Sequence, residues 1–330
     1  MGWSRVRAFL VLCAFVLVSG CTAAQAPDGS NPAFVTITPV PQAPPASIPA
    51  AATPIPSASP SADPTLPPTA VEQLTATIDL TKFSAPSTID NAWFPLAPGQ
   101  RWTYTGAATI DGERLSRKVV LTITDLTKEI AGVRALVAYE VDYTDGDLGE
   151  AEIVLWAQDD DGVVWRMGEY PEVYEDGKLV ETPVWIHGYD GALAGIAMDP
   201  DPQPYTPSFA EGWGPAVEWN DRGRVFEIGS ETCVKTGCYK DVLVIDEFSR
   251  DEPDAHQLKY YAKGVGNVRT GWAGANEEER EELQLVKLEA LSEAALARVR
   301  ATVLEQDARG LRLSPNVYAK LPRAVLTTAE

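Results

Sequence analysis

Histidine is the scarcest chemistry-bearing residue in this chain: only His187 and His256 occur. Neither stands beside a serine, cysteine or carboxylate in the arrangement a hydrolase needs. No Gly-x-Ser-x-Gly, His-Glu-x-x-His or phosphate-loop pattern occurs. His187, in a Trp-Ile-His-Gly context, reads as a polar turn residue. No catalytic constellation and no cofactor are expected, and the chain is not expected to be an enzyme. Basic residues are also short, 27 Lys and Arg against 47 Asp and Glu, for a net charge of −20. Such a surface repels nucleic acid and anionic head groups, so no nucleic-acid partner is expected, although holding cations stays open. The longest apolar run, Ala8–Val18, is 11 residues. A spanning helix needs about 20.

What that run does match is a secretory signal. Arg5 and Arg7 precede it, and Leu17-Val18-Ser19-Gly20-Cys21 closes it on small residues before a cysteine. The ending resembles the lipobox of bacterial lipoproteins. The resemblance implies cleavage after residue 20, acylation of Cys21, and anchoring on the extracytoplasmic face of the cell membrane through the acyl chains. Two or more chains would hold the protein stably, since one alone binds marginally at about 0.8 kcal/mol per buried methylene. Residues 22–72 follow with 13 Pro, 12 Ala, 5 Ser and 6 Thr, and with Phe34 as their only aromatic. A segment so poor in large apolar groups is expected to stay disordered, as a stalk biased to extended polyproline geometry.

Of four cysteines, Cys13 leaves with the signal and Cys21 is taken by the anchor, which leaves Cys233 and Cys238. In an oxidising exported compartment this close pair is expected to be a structural disulfide; a redox pair or half of a metal site are the alternatives. Among the carboxylates, Asp159-Asp160-Asp161-Gly162 is the best metal candidate, with Asp159 and Asp161 as weak Ca²⁺ ligands. It lacks EF-hand spacing, and a solvated hairpin turn explains it as well. Asp199 and Asp201 form a second small cluster. Glu277–Glu282 reads as a charged loop.

Residues 73–291 carry repeated period-two alternation rich in β-branched and aromatic residues. The expected strands include Arg101–Tyr104, Lys118–Thr124, Ala135–Tyr143, Glu152–Trp156, Val163–Met167, Leu179–Trp185, Val242–Phe248 and Leu283–Leu291. Asp111-Gly112, Asp161-Gly162 and Asp176-Gly177 punctuate them as hairpin turns. The fold class expected is mainly β: an antiparallel meander forming a curved sheet, half-barrel or sandwich. Ala192–Gly214, rich in Pro and Gly, reads as an irregular connection. Residues 292–330 are expected to form a helix and tail packed on the β domain. Ser292 caps the helix, Leu296, Val299, Val303 and Leu304 form one stripe, and Gly310 ends it.

The run Asn91-Ala92-Trp93-Phe94-Pro95-Leu96-Ala97-Pro98-Gly99, followed by Trp102 and Tyr104, resembles the opening of a group of uncharacterised exported bacterial lipoproteins. The likeness recurs at Trp156-Ala157-Gln158-Asp159 and at Tyr260–Gly266. It implies an architecture but no activity. Two functions fit. One is a non-catalytic binding module, with an apolar or small ligand held in a concave sheet beneath the helix. The other is a structural or interaction protein of the cell envelope.

Overall fold

The computed structural model describes residues 73–110, 112–252 and 254–327; the signal, Cys21 and the stalk lie outside them. In chain order the strands are β1 Gln100–Ile110, β2 Glu113–Ile130, β3 Val133–Thr144, β4 Asp147–Gln158, β5 Val164–Glu175, β6 Lys178–Glu181, β7 Trp185–Ile186 and β8 Leu193–Met198. They continue as β9 Phe209–Ala210, β10 Gly212–Trp213, β11 Arg222–Val234, β12 Gly237–Phe248, β13 His256–Ala262, β14 Gly266–Ala273, β15 Glu282–Ala290 and β16 Val325–Leu326. One α-helix, α1, spans Glu293–Leu313.

The sheet is an antiparallel meander in the order β10-β8-β5-β4-β3-β2-β1-β15-β14-β13-β12-β11-β9. Its two ends come from one short stretch of chain. β9 pairs with β11 and β10 pairs with β8, so residues 209–213 draw the sheet into a nearly closed barrel. The fold class expected from the alternation is therefore the one observed, with the curvature taken almost to closure. Tight turns make this possible. Ala131-Gly132, Asp145-Gly146 and Asp176-Gly177 each place two consecutive residues at positive φ, the conformation of a type I′ hairpin.

Closure depends on residues 192–214, read from sequence as irregular. They contain β8, β9 and β10, in runs of two to six residues that are too short to show alternation. At the seam Gly195 lies against the backbone of Glu211: a Cβ there would sit 2.0 Å from the Glu211 carbonyl carbon. The expected strand Leu179–Trp185 is broken at Thr182-Pro183 into β6 and β7, because proline cannot donate to a ladder.

Two apolar layers define inside and outside. The larger gathers side chains from nearly every strand around the sheet, among them Tyr104, Leu121, Ala138, Val154, Leu243, Tyr261 and Leu285, so it fills the barrel. The segment before β1 plugs one end of it. Trp93, Phe94 and Leu96 are buried there, and Phe94 packs edge-on against Trp156 with ring centroids 5.2 Å apart. The Asn91 side chain fixes the plug: its Oδ1 accepts from the backbone N–H groups of Trp93 and Phe94, and its Nδ2 donates to the Gly162 carbonyl. Trp102 donates through Nε1 to the Val265 carbonyl, and Tyr104 donates its hydroxyl to that of Asn267. The aromatic signature is thus the stopper of the barrel.

The second layer lies outside, on β2 to β5, and α1 covers it with Val303. The helix starts where Ser292 Oγ accepts from Ala295 N–H, as its sequence indicates. It runs through Gly310 to Leu313. Gly310 is a contact point instead of a stop, for a Cβ there would lie 2.7 Å from the Tyr318 ring. Leu296 and Val303 of the expected stripe are buried, whereas Leu304 is exposed. The buried face also carries Asp307, which pairs with Lys128 at 2.6 Å and accepts the Tyr318 hydroxyl. Tyr318 and Leu321 strap the tail down before β16 joins β2.

Candidate functional site

Along the barrel axis, away from the plug, each inward-facing row turns from apolar to charged. On β3 the inward residues run Leu136, Ala138, Glu140, Asp142; on β4 they run Trp156, Val154, Glu152, Glu150. On β12 Leu243 and Ile245 give way to Glu247, and on β13 Tyr261 gives way to Lys259. Every second residue on a strand faces the same way, about 7 Å apart, so two steps separate a greasy floor from a charged lumen.

Among the described residues three cations stand in this lumen, each within ion-pair distance of a carboxylate, although Arg166 Nε and Nη1 and Lys259 Nζ make no hydrogen bond of good geometry. Arg117 reaches Asp142 at 2.6 Å and Glu281 at 3.2 Å. Arg166 meets Glu169 at 3.0 Å, with its guanidinium 4.9 Å from the Trp156 ring and 5.3 Å from that of Trp219. Lys259 meets Glu247 at 2.5 Å. Glu169 also accepts from Trp185 Nε1 at 2.9 Å. Four further carboxylates, Glu140, Glu150, Glu152 and Glu211, make no ion pair among the described residues.

Burial without a counter-ion disfavours the charged form. Burial pushes Glu152 well above the usual carboxylate range, and Glu169, Glu150 and Glu140 push it further. Glu150 is raised in the same way by burial and by Asp142. Burial also raises Glu140, with Lys259 and Arg166 pulling back. At the seam Glu211 is raised to about 8 by burial and by Glu247. Its carboxylate occupies the space left by Gly223, where a Cβ would stand 2.8 Å from Oε1. Burial alone would lower the Arg166 guanidinium, yet Glu169 and Glu211 carry it upward.

The charged end of the barrel meets a shallow cleft lined by Asp221, Glu247, Gln257, Trp272, Glu277 and Glu281 together with Phe248, Ser249 and Glu279. Glu281 accepts from Gln257 at 3.3 Å, and burial raises it to about 8. Asp142, buried beside Glu140, is raised to about 7 despite Arg117.

The metal, disulfide and histidine candidates singled out in the sequence lie elsewhere, whereas Glu277 and Glu281 of the expected charged loop are buried in the cleft lining. Asp159 is spent on its own turn: Oδ1 accepts from the backbone of Asp161 and Val163, and Oδ2 accepts from Trp165 Nε1. Asp161 pairs with Lys82 at 2.6 Å. The Asp199–Asp201 loop does abut this turn, with Pro200 against Gly162. Among the described residues no triple of potential ligands forms there; the one such triple found is Glu231, Cys233 and Cys238. Those cysteines face each other across the β11–β12 hairpin and are joined as a disulfide, Cα atoms 4.0 Å apart. His187 accepts from the Ala194 N–H in a buried turn, where burial lowers its pKa. His256 sits on the outer face against Asp246, whose hydrogen bond raises it. The cavity expected beneath the helix is not formed, because α1 packs on the outer surface of the sheet.

No family model matches the chain, and no curated protein matches it. Two solved structures are similar to it. One, from Bacteroides fragilis, is described as an exported protein with a YmcC-like fold; it is 12% identical with a TM-score of 0.34, over 60% of this chain and 99% of that one. The other, from Parabacteroides distasonis, is described as a lipoprotein; it is 12% identical with a TM-score of 0.35, over 61% of this chain and 100% of that one. Likeness at this level carries no functional argument.

Proposed function

We propose that this protein is an exported, lipid-anchored binding module, without catalytic activity, whose ligand seats in the charged half of the barrel. The observation that carries the reading is the surplus of carboxylates: three buried inward-facing glutamates, Glu140, Glu152 and Glu211, and the half-buried Glu150 lack an ion pair among the described residues. A buried charge without a partner is strongly destabilising, and a fold that retains several is maintaining them for something other than stability. The floor of the barrel is filled by Trp93, Phe94, Trp102 and Trp156, so a guest would seat at the polar end, where the cleft lies. The signal and Cys21 supply the address, and the Pro-rich stalk supplies reach.

The test is to purify the full chain from its host membranes in mild detergent, then extract it and analyse the extract by mass spectrometry. A small molecule released stoichiometrically on denaturation is expected. A chain that carries nothing, and that binds nothing from a panel of small cations, neutral solutes and lipids, overturns the reading.

A further inference from the structure

The surplus glutamates also specify their ligand, an inference that rests on the binding-module reading. We propose that the lumen binds a flexible organic cation with at least two amino groups, a linear polyamine in chemical class, and not a bare metal ion.

Three observations carry this. The first is an acceptor with nothing to accept from: Glu152 is 5% exposed, and its Oε2 has no hydrogen-bond partner. Directly across the β3–β4 ladder stands Glu140, another carboxylate, and Arg166 on β5 acts on Glu152 through space without a hydrogen bond to its Oε2. An ammonium group, with three donors, can bridge such a pair.

The second is spacing. Divalent cations gather several oxygens at about 2.0–2.6 Å, which requires ligand atoms already clustered. Among the described residues, no three lumen carboxylates bring their oxygens that close together. The carboxylates without an ion pair among the described residues stand instead at two separate places. Glu140 and Glu152 face each other on β3 and β4, whereas Glu211 stands apart at the seam, against Gly223. Separate charges on a chain fit that distribution where one compact charge does not.

The third is that the site already holds organic cations in the same manner. The Arg166 guanidinium lies over two indole rings beside Glu169, and the Lys259 ammonium sits in the lumen at 0% exposure against Glu247. Arg166 shows a desolvated organic cation accepted by a carboxylate with an aromatic wall, and Lys259 one held by a carboxylate.

The experiment is calorimetric titration of the full-length protein in detergent with spermidine, with 1,8-octanediol as the uncharged chain and with Ca²⁺ and Mg²⁺ as compact cations. Spermidine should bind at one saturable site. Glu152→Gln and Glu140→Gln should each weaken it at least tenfold, whereas Glu129→Gln, exposed at the end of β2 away from the charged lumen, should leave it unchanged. Neither the diol nor the divalent ions should compete. Absence of saturable binding, equal loss in Glu129→Gln, or displacement by Ca²⁺ overturns the inference. If extraction of the native protein yields an uncharged molecule, the binding-module reading stands and the cationic class falls. If it yields nothing and spermidine fails to bind, both fall.

Discussion

Glu140 and Glu152 stand opposite each other on β3 and β4, both pointing into the barrel and both drawn toward the protonated form by burial. Like charges directly opposed across a ladder destabilise a sheet. Glu152→Gln keeps the shape and removes the titration. The variant should therefore be more stable than the parent near pH 7.5, because burial and the neighbouring carboxylates disfavour the charged form of Glu152 in the folded chain only. The gain should disappear toward pH 4, where both states are protonated. Urea melts at the two pH values check it; a variant less stable at both would assign Glu152 a structural role.

The same chemistry sets the pH dependence of the whole domain. Burial raises Asp142 to about 7, and Glu211 and Glu281 to about 8, against unfolded values near 4. The folded state binds more protons across that window, so the stability these groups allow is present below about pH 4 and is lost as pH rises through about 8. Thermal melts of the ligand-free chain should show a higher midpoint at pH 5 than at pH 8. A flat profile would mean that the lumen carboxylates are paired.

Phe94 tests the plug. It is 2% exposed and packs on Trp156 and Tyr261. Phe94→Ala should cost about 3–5 kcal/mol through lost burial and the cavity left behind. Denaturant unfolding gives the figure directly, and a loss below 1 kcal/mol would show that the stopper is loosely packed.

The hairpin disulfide should matter less. Closing so short a loop constrains the unfolded chain by roughly 2 kcal/mol on the entropy model. The Cys233→Ser/Cys238→Ser double variant should lose no more than that and should keep its ligand affinity, since the pair lies at an exposed hairpin tip away from the lumen. Titration of free thiols in the parent under denaturant, without reductant, should find none at these two positions.

The proposed lipid anchor is tested at Cys21. Replacing it with Ala should release the chain from the membrane fraction on cell fractionation. Retention equal to the parent would exclude acylation as the anchor.

The sequence made the antiparallel class legible because alternation over β2, β3 and β12 survives in the residue order, and because Asp-Gly pairs mark reversals. The helix start was legible in Ser292. Closure was not, since β8, β9 and β10 are too short to alternate and are dictated by tertiary contacts such as Gly195 against Glu211. Gly310 misled because a glycine in a helix signals a stop as readily as a ring packed against it. The site was half legible. Glu140 and Asp142 share parity with Leu136 and Ala138, and Glu152 shares it with Val154 and Trp156, so each extends an inward row. What single strands could not show is that these rows meet across a lumen, where their charges add. Asp159 drew attention by composition and proved to be a turn residue, because clustering in sequence says little about which carboxylates lack partners in space.

The most direct measurement is a paired thermal melt of the parent and Glu152→Gln at pH 7.5, each with and without spermidine. The variant should melt higher than the parent when ligand-free, and the parent should gain far more from spermidine, so that the ligand narrows or reverses the order. A variant that melts lower, together with a parent that spermidine does not shift, would contradict a carboxylate pair held for a cationic guest.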